Sequence, residues 1–263
     1  MSLQSYYKDH WVEIEPERLD RYEQQFVLRD VHRWLLEPAD IRPGQTVADF
    51  GCGPGYISVE LAERVGAQGH VHALDVNRDF LDRTAQRGRA QGLQSRISTH
   101  LLEGTRLPLD DACVDRVFTK NVMIYVDDPA GTFAEFRRIV RPGGKVHAID
   151  SDFWTAAVDP VPAQDWRAFI DAASVAFRTP TIGRQMYRLA REAGFSQVQV
   201  EVVARPDTQG HLMHFIRNAA GYARLAGTLS DDRVEAVVRC AQEALDNGRF
   251  FALNPQYMVT AVA

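Results

Sequence analysis

Cysteine is scarce in this chain, with three residues in 263. Cys52, Cys113 and Cys240 are far apart, odd in number, and form neither a C-x-x-C pair nor a zinc-ligand spacing. That argues against a disulfide framework and a clustered metal centre, so no metal is expected. Long apolar runs are also missing. No segment approaches the roughly 20 residues that a membrane-spanning helix needs. The first ten residues are polar and aromatic rather than basic then apolar, so no signal peptide is expected and the expected compartment is the cytoplasm. Runs of one charge sign are absent as well. The net charge is −5, with arginines scattered among acids, which argues against nucleic acid as the main partner. There are no repeats and no low-complexity tracts.

What remains is an ordinary globular composition, 45% hydrophobic and 25% charged. Its length suits one large α/β domain with an appended helical cap. Strands are expected at Thr46–Phe50, His70–Asp75, Ile97–Leu102, Val114–Thr119, Lys145–Ile149 and Val198–Val203. Helices are expected at Tyr56–Val65, Arg78–Gln91, Ala130–Val140, Ala163–Arg178, Arg184–Ala193, His211–Leu225 and Asp231–Asp246. Phe250 to Val262 ends in a strand-like run. The alternation predicts a Rossmann-like, mostly parallel sheet with helices on both faces. Residues 1–40 carry aromatics at helical spacing and read as an N-terminal helical cap. Residues 41–204 read as the α/β core, and 205–263 as a helical lid insertion with the final strand.

The most informative stretch is Val47-Ala48-Asp49-Phe50-Gly51-Cys52-Gly53-Pro54-Gly55. An apolar strand enters a glycine-rich turn, and helical spacing follows in Ile57, Leu61, Ala62 and Val65. Gly51, Gly53 and Gly55 let a ligand approach the backbone, and the amides opening the helix face it. A dinucleotide fold wants G-x-G-x-x-G, whereas this loop is G-x-G-x-G with Pro54 inside and Asp49 before it. An acid beside the loop suits a cationic ligand better than a pyrophosphate. Cys52 reads as small filler. Asp75 ends the second strand, where a carboxylate accepts from two ribose hydroxyls. Glu103 ends the third, where it accepts from an amino group while the Gly104 amide meets a ring nitrogen.

The ordered set of Asp49 and the three glycines, Asp75, Glu103-Gly104, Asp115-Arg116-Val117 and Arg138-Ile139-Val140-Arg141-Pro142-Gly143-Gly144 resembles the class I S-adenosylmethionine-dependent methyltransferases. Within them it looks like the ubiquinone/menaquinone-type, small-molecule branch, over residues 40–150. The resemblance implies a seven-stranded sheet whose last strand is antiparallel. It implies S-adenosylmethionine as cofactor and S-adenosylhomocysteine as product. It also implies a cofactor site made of Asp49, Gly51, Gly53, Gly55, Asp75, Val76, Glu103, Gly104 and Asn121, with Tyr22 closing over it. The Asn-Pro-Pro-Tyr type motif of enzymes that methylate planar nitrogens is absent; Thr119-Lys120-Asn121-Val122-Met123 stands in its place.

The expected reaction is methyl transfer to a small-molecule acceptor, with no membrane and no nucleic acid as partner. Two other readings stay open: a cyclase or isomerase of the same fold, and a non-catalytic protein that binds S-adenosylmethionine. A general base is needed only if the acceptor carries a proton. Asp150 and Asp152 follow the fifth strand and could face the pocket, with a helix N-cap or turn role as the alternative for each; His211 or His214, on a helix of the insertion, is the other candidate, and of these Asp152 and His214 are preferred. His211 and His214 lie three apart but lack a third ligand, so no metal follows. His147, mid-strand, reads as a buried, hydrogen-bonded histidine. The acceptor atom and the oligomeric state, monomer or homodimer, are not legible.

Overall fold

The computed structural model describes residues 23, 27–28 and 30–263. A 3-10 segment, Asp30–Ala39, precedes β1 (Thr46–Phe50), α1 (Tyr56–Val65), β2 (His70–Asp75), α2 (Arg78–Ala90), β3 (Ile97–Leu101) and β4 (Val114–Lys120). Then come α3 (Pro129–Ile139), β5 (Val140–Ser151), β6 (Ala157–Asp159), α4 (Ala163–Ala173), α5 (Ile182–Glu192) and β7 (Ser196–Val203). The chain closes with α6 (Met213–Ala226), α7 (Asp231–Asp246), β8 (Phe251–Leu253) and β9 (Gln256–Val262). Seven strands form one sheet in the order β3-β2-β1-β4-β5-β9-β7. β1 pairs in parallel with β2 and β4, and β4 with β5. β9 alone runs antiparallel, inserted between β5 and β7. The expected Rossmann-like sheet with an antiparallel last strand is present.

The central strands are buried along most of their length because helices cover both of their faces. On one face, Phe133, Phe136, Ile182 and Met186 of α3 and α5 pack on Val117, Val146 and Ala148. On the other, Leu61 and Val65 of α1, with Leu36 of the 3-10 segment, pack on Val47, Phe118 and Ile149. Local chemistry sets where the helices start. Asn77 caps α2 by accepting from the Phe80 amide at 3.0 Å, and Asp128 caps α3 from Gly131 at 2.9 Å ahead of Pro129. Helix α1 is different: it opens on Gly55, left-handed at φ 86, with no side-chain cap.

A second core lies apart from the sheet. Trp166, Phe169 and Ile170 of α4 pack with Ile216 and Ala220 of α6 and with Val234 and Val237 of α7. Full burial of Phe169 and Ile170 stabilises it by about 1.5–3 kcal/mol per side chain. A small antiparallel pair, β6 with β8, joins it. The second core therefore recruits α4 from within the 41–204 span. The helix expected at Ala163–Arg178 ends at Ala173 and tightens into a 3-10 turn over Ser174–Ala176. The pair β6 and β8 escapes sequence reading because three-residue strands carry no usable period.

His147 is fully buried, as its mid-strand place suggested. Its Nδ1 meets Thr260 Oγ1 at 2.7 Å and its Nε2 meets the Leu35 carbonyl at 2.9 Å. Burial pulls its pKa down to about 4, against the hydrogen bond to Leu35. Between the unfolded value near 6.5 and this one, the unfolded chain binds a proton that the folded chain refuses. Stability attributable to His147 is therefore present above pH ~6.5 and lost as pH falls, by about 3 kcal/mol once the pH is below 4. A His147→Gln variant keeps a donor and an acceptor but gains no charge. Its denaturant-unfolding free energy is expected to decline less than the wild type's between pH 6.5 and 4.5. Parallel declines would remove His147 from the account.

Candidate active site

The chain reverses after β1 because the Gly51 and Cys52 amides both donate to the Leu74 carbonyl, at 2.8 and 3.0 Å. Side chains are sterically excluded here. A Cβ on Gly51, whose φ is 73, would lie 2.2 Å from Val122 Cγ2, and one on Gly55 would lie 2.6 Å from Thr84 Oγ1. Helix α2 braces the loop from behind. Thr84 Oγ1 donates to the Gly53 carbonyl at 3.0 Å, and Arg87 Nε donates to the Pro54 carbonyl at 3.1 Å. The Arg87 guanidinium also lies 3.6 Å from the centre of the Tyr56 ring and pairs with Glu23. With these carbonyls tied to α2, the uncapped first turn of α1 is the polar end left for a ligand. Burial pushes the Cys52 thiol well above its usual pKa, which is the state of an inert packing residue.

Asp75 stands beside the loop, 7% exposed. One carboxylate oxygen accepts from the Gly53 amide at 2.8 Å and the other from the Asn77 amide at 2.9 Å. Burial raises its pKa to about 6, against the hydrogen bonds from Asn77, Gly53 and Val76. Val76, 41% exposed, presents an apolar surface next to it. The Leu102 amide donates to the Asp75 carbonyl at 2.8 Å, which carries exposed Glu103 and Gly104 just beyond β2. Asn121, exposed, follows β4 at φ 57, its amide held by the Ile149 carbonyl at 2.8 Å. The three glycines, Asp75, Val76, Glu103, Gly104 and Asn121 thus gather at the carboxyl ends of four adjacent strands, β3, β2, β1 and β4.

Asp49 does not join them. It is 2% exposed and accepts from Ser58 Oγ at 2.6 Å, tying β1 to α1 beneath the loop. Burial lifts its pKa to about 7, with the charge of Asp75 adding and Ser58 opposing. The acid read from the sequence as suiting a cationic ligand makes a strand–helix tie here. Tyr22 lies outside the described residues.

Asp152 is fully buried. It caps the short turn Phe153–Thr155 through the Trp154 amide at 3.2 Å and pairs with Arg184. Those contacts hold its carboxylate against α5 and the turn that follows β5. His214 is exposed on α6, its Nδ1 2.5 Å from the His211 carbonyl. His211 pairs with Asp207 at 3.2 Å. Among the described residues no group of three or more His, Cys, Asp or Glu side chains could hold a metal ion. Asp150, the other candidate after the fifth strand, is fully buried at the end of β5, and burial raises its pKa to about 7; Lys120, at the end of β4, is a charged group the sequence reading did not single out. The sequence signal for both was only their position at a strand's carboxyl end.

Residues 47–144 match the methyltransferase domain family, over the same strands and loops that build this site. The chain carries a class I methyltransferase domain. An uncharacterized 37.1 kDa protein of a Streptomyces fradiae transposon is 32% identical over 179 residues, covering 68% of this chain and 51% of that one. A 2-phytyl-1,4-naphtoquinone methyltransferase of Trichormus variabilis is 32% identical over 109 residues, covering 41% of this chain and 48% of its own. The chain thus spans about half the length of these curated relatives. A SAM dependent methyltransferase from Aquifex aeolicus shares the fold, with a TM-score of 0.52, 21% identity, and coverage of 73% of this chain and 93% of that one. The likeness to quinone methyltransferases agrees with the branch that the motifs resemble. No helix among the described residues is long and apolar enough to cross a membrane.

Proposed function

We propose that this chain transfers a methyl group from S-adenosylmethionine to a small-molecule acceptor, in the cytoplasm and without a nucleic-acid partner, and releases S-adenosylhomocysteine. The observation that carries this reading is the row of donors and acceptors along β3, β2, β1 and β4. The two Asp75 oxygens accept backbone amides and keep lone-pair capacity for a ribose hydroxyl. Val76 offers a face to a flat base, and Glu103 an acceptor to an exocyclic amino group. The uncapped turn of α1 suits the amino-acid end. The bound cofactor supplies an electrophilic methyl on a sulfonium. What the protein adds is alignment of the acceptor with it, which supplies much of the rate in such displacements.

Residues 1–40 and roughly 205–248 are proposed to cover that edge and exclude water, with the second core as the rigid part of the cover. His214 is the group to test as a base for an acceptor that carries a proton, and Asp152 as a positioning residue. Quinol and phenol acceptors head the panel, because a relative is named for a naphthoquinone substrate. S-adenosylmethionine and S-adenosylhomocysteine are expected to raise the melting temperature and NAD to leave it unchanged. With a competent acceptor, S-adenosylhomocysteine should accumulate in step with methylated product. Product formed without S-adenosylhomocysteine would instead indicate a cyclase or isomerase. A melting temperature indifferent to both adenosyl ligands would reject the reading.

A further inference from the structure

The edge strand β3 and its neighbour β2 carry His70, His72 and His100 on one half-open face of the sheet. His70 and His72 flank Val71, so both point away from the side where α1 packs on Val71. His100 follows by two places the Ser98 that pairs with His72. The 102–113 connection from β3 to β4 contains no helix, and His70, His72, Ser98 and His100 stay half-buried. His72 Nδ1 lies 3.0 Å from His100 Nε2, and His70 Nε2 lies 2.9 Å from Ser98 Oγ. The rings of His70 and His72 are centred 4.8 Å apart. Acids are missing from the surrounding chain: residues 64–74 and 83–102 contain neither Asp nor Glu, and Arg96 ahead of β3 is itself a cation. On β1 the residues paired with His70 and His72 are Thr46 and Ala48, which do not titrate. Further across the sheet, Asp115 takes the Thr46 amide and Arg141, while Arg138 of α3 takes Glu135 and Asp111. What acts on the three rings is burial and one another. Burial lowers the pKa of each, His70 and His100 bring His72 down further to about 4, His70 adds to the lowering of His100, and the Ser95 backbone opposes at His70. While the His72–His100 pair is uncharged, one ring donates and the other accepts. One added proton can be shared across that bond. A second puts hydrogen on both facing nitrogens, so the bond is lost and like charges meet.

We propose that His70, His72 and His100 form a proton-operated clasp on the edge of the sheet: uncharged, they tie β3 to β2, and on acidification their repulsion parts the two strands. The edge is where such a device acts locally, since β3 bonds to β2 alone and can leave without unfolding the centre. β2 ends in Asp75 and β3 leads into Glu103 and Gly104, so opening the clasp separates the two acids of the candidate site. The sign follows from the downward shifts. Parted strands bind protons that the paired strands refuse, so the tie is intact above pH ~6.5 and weakens as the pH falls. For His72, the difference between the ordinary 6.5 and about 4 corresponds to opening that is about 30-fold easier at pH 5 than at pH 7.5.

The test is amide hydrogen exchange on the full, unliganded chain at pH 7.5 and pH 5, with each rate divided by the intrinsic rate at that pH. Protection of the β3 amides that bond to β2 is expected to fall about 10- to 100-fold, and protection in β1 and β4 to fall less. His147 sets the background, because it acts on global unfolding and so on every strand alike. His72→Gln keeps a donor and an acceptor but gains no charge. It should remove most of the excess loss in β3 and leave β1 and β4 as in the wild type. His100→Gln should do the same, and it gives the comparison if His72→Gln does not fold. Nitrogen NMR of the wild type should show His72 still uncharged at pH 5.5. Losses in β3 no larger than in β4, an excess loss that survives both substitutions, or a His72 that titrates at its ordinary value would each overturn the proposal.

Discussion

Gly55→Ala is expected to lose about 2–5 kcal/mol of stability and most of its affinity for the adenosyl ligand. Two independent costs meet at this position. The backbone sits at φ 86, where an L side chain is strained, and a Cβ would lie 2.6 Å from Thr84 Oγ1 and 2.8 Å from Thr84 Cα. The second contact is with backbone, so α2 itself must move. Moving it disturbs Thr84 and Arg87, which hold the Gly53 and Pro54 carbonyls. Gly92→Ala is the control. It shares a left-handed φ, 69, but nothing lies within 4 Å of its Cβ, so only the strain of about 1–2 kcal/mol applies. Urea unfolding of the two variants separates the terms. Equal losses would show that contact with α2 contributes nothing, and an unaltered ligand affinity in Gly55→Ala would detach the brace from binding.

Asp75→Ala is expected to weaken S-adenosylhomocysteine by about 10- to 100-fold, the cost of removing a charged acceptor worth about 1.5–3 kcal/mol. It also strands the Gly53 and Asn77 amides, which now donate to Asp75 at 2.8 and 2.9 Å. The loop should therefore loosen as binding falls. Asp75→Asn keeps the shape and one oxygen acceptor and should fall between the wild type and Asp75→Ala. The pH dependence follows from the sign of the shift. The folded pKa, about 6, lies above the ordinary 3.8, so between these values the folded chain holds a proton that the unfolded chain releases. The contribution of Asp75 to stability is therefore present at low pH and declines as pH rises through 6. Its capacity to accept from two hydroxyls grows over the same interval. Affinity in the wild type should rise between pH 5 and 7.5, and Asp75→Asn should remove that component. Calorimetric titration at the two pH values checks this. An Asp75→Ala protein that binds as tightly as the wild type would take the residue out of the site.

The glycine loop, Asp75, and Glu103 with Gly104 were legible because each is a local signal. A strand period of two, a turn that demands positive φ, and an acid at a strand's last residue are all properties of contiguous residues. The family resemblance added the antiparallel last strand, which the pattern of Gln256–Val262 alone does not contain. The tie that Asp49 makes was not legible, for the opposite reason. Whether an acid at a strand end faces a ligand or a neighbouring helix depends on Ser58, nine residues on and brought beneath it only when α1 packs. The same holds for Asp152, whose ion pair with Arg184 spans 32 residues.

By itself, then, the sequence determined the α/β rhythm, the adenosyl-type loop, and the strand ends where ligand chemistry is placed. Only the tertiary structure decided that β9 enters between β5 and β7, that α4 leaves the sheet for the second core, and that Asp49 is tied to Ser58 beneath the loop. The physical reason is the range of the forces involved. Period and turn chemistry act within a few residues along the chain, whereas burial, desolvation and charge pairing depend on which distant segments come within a few ångströms.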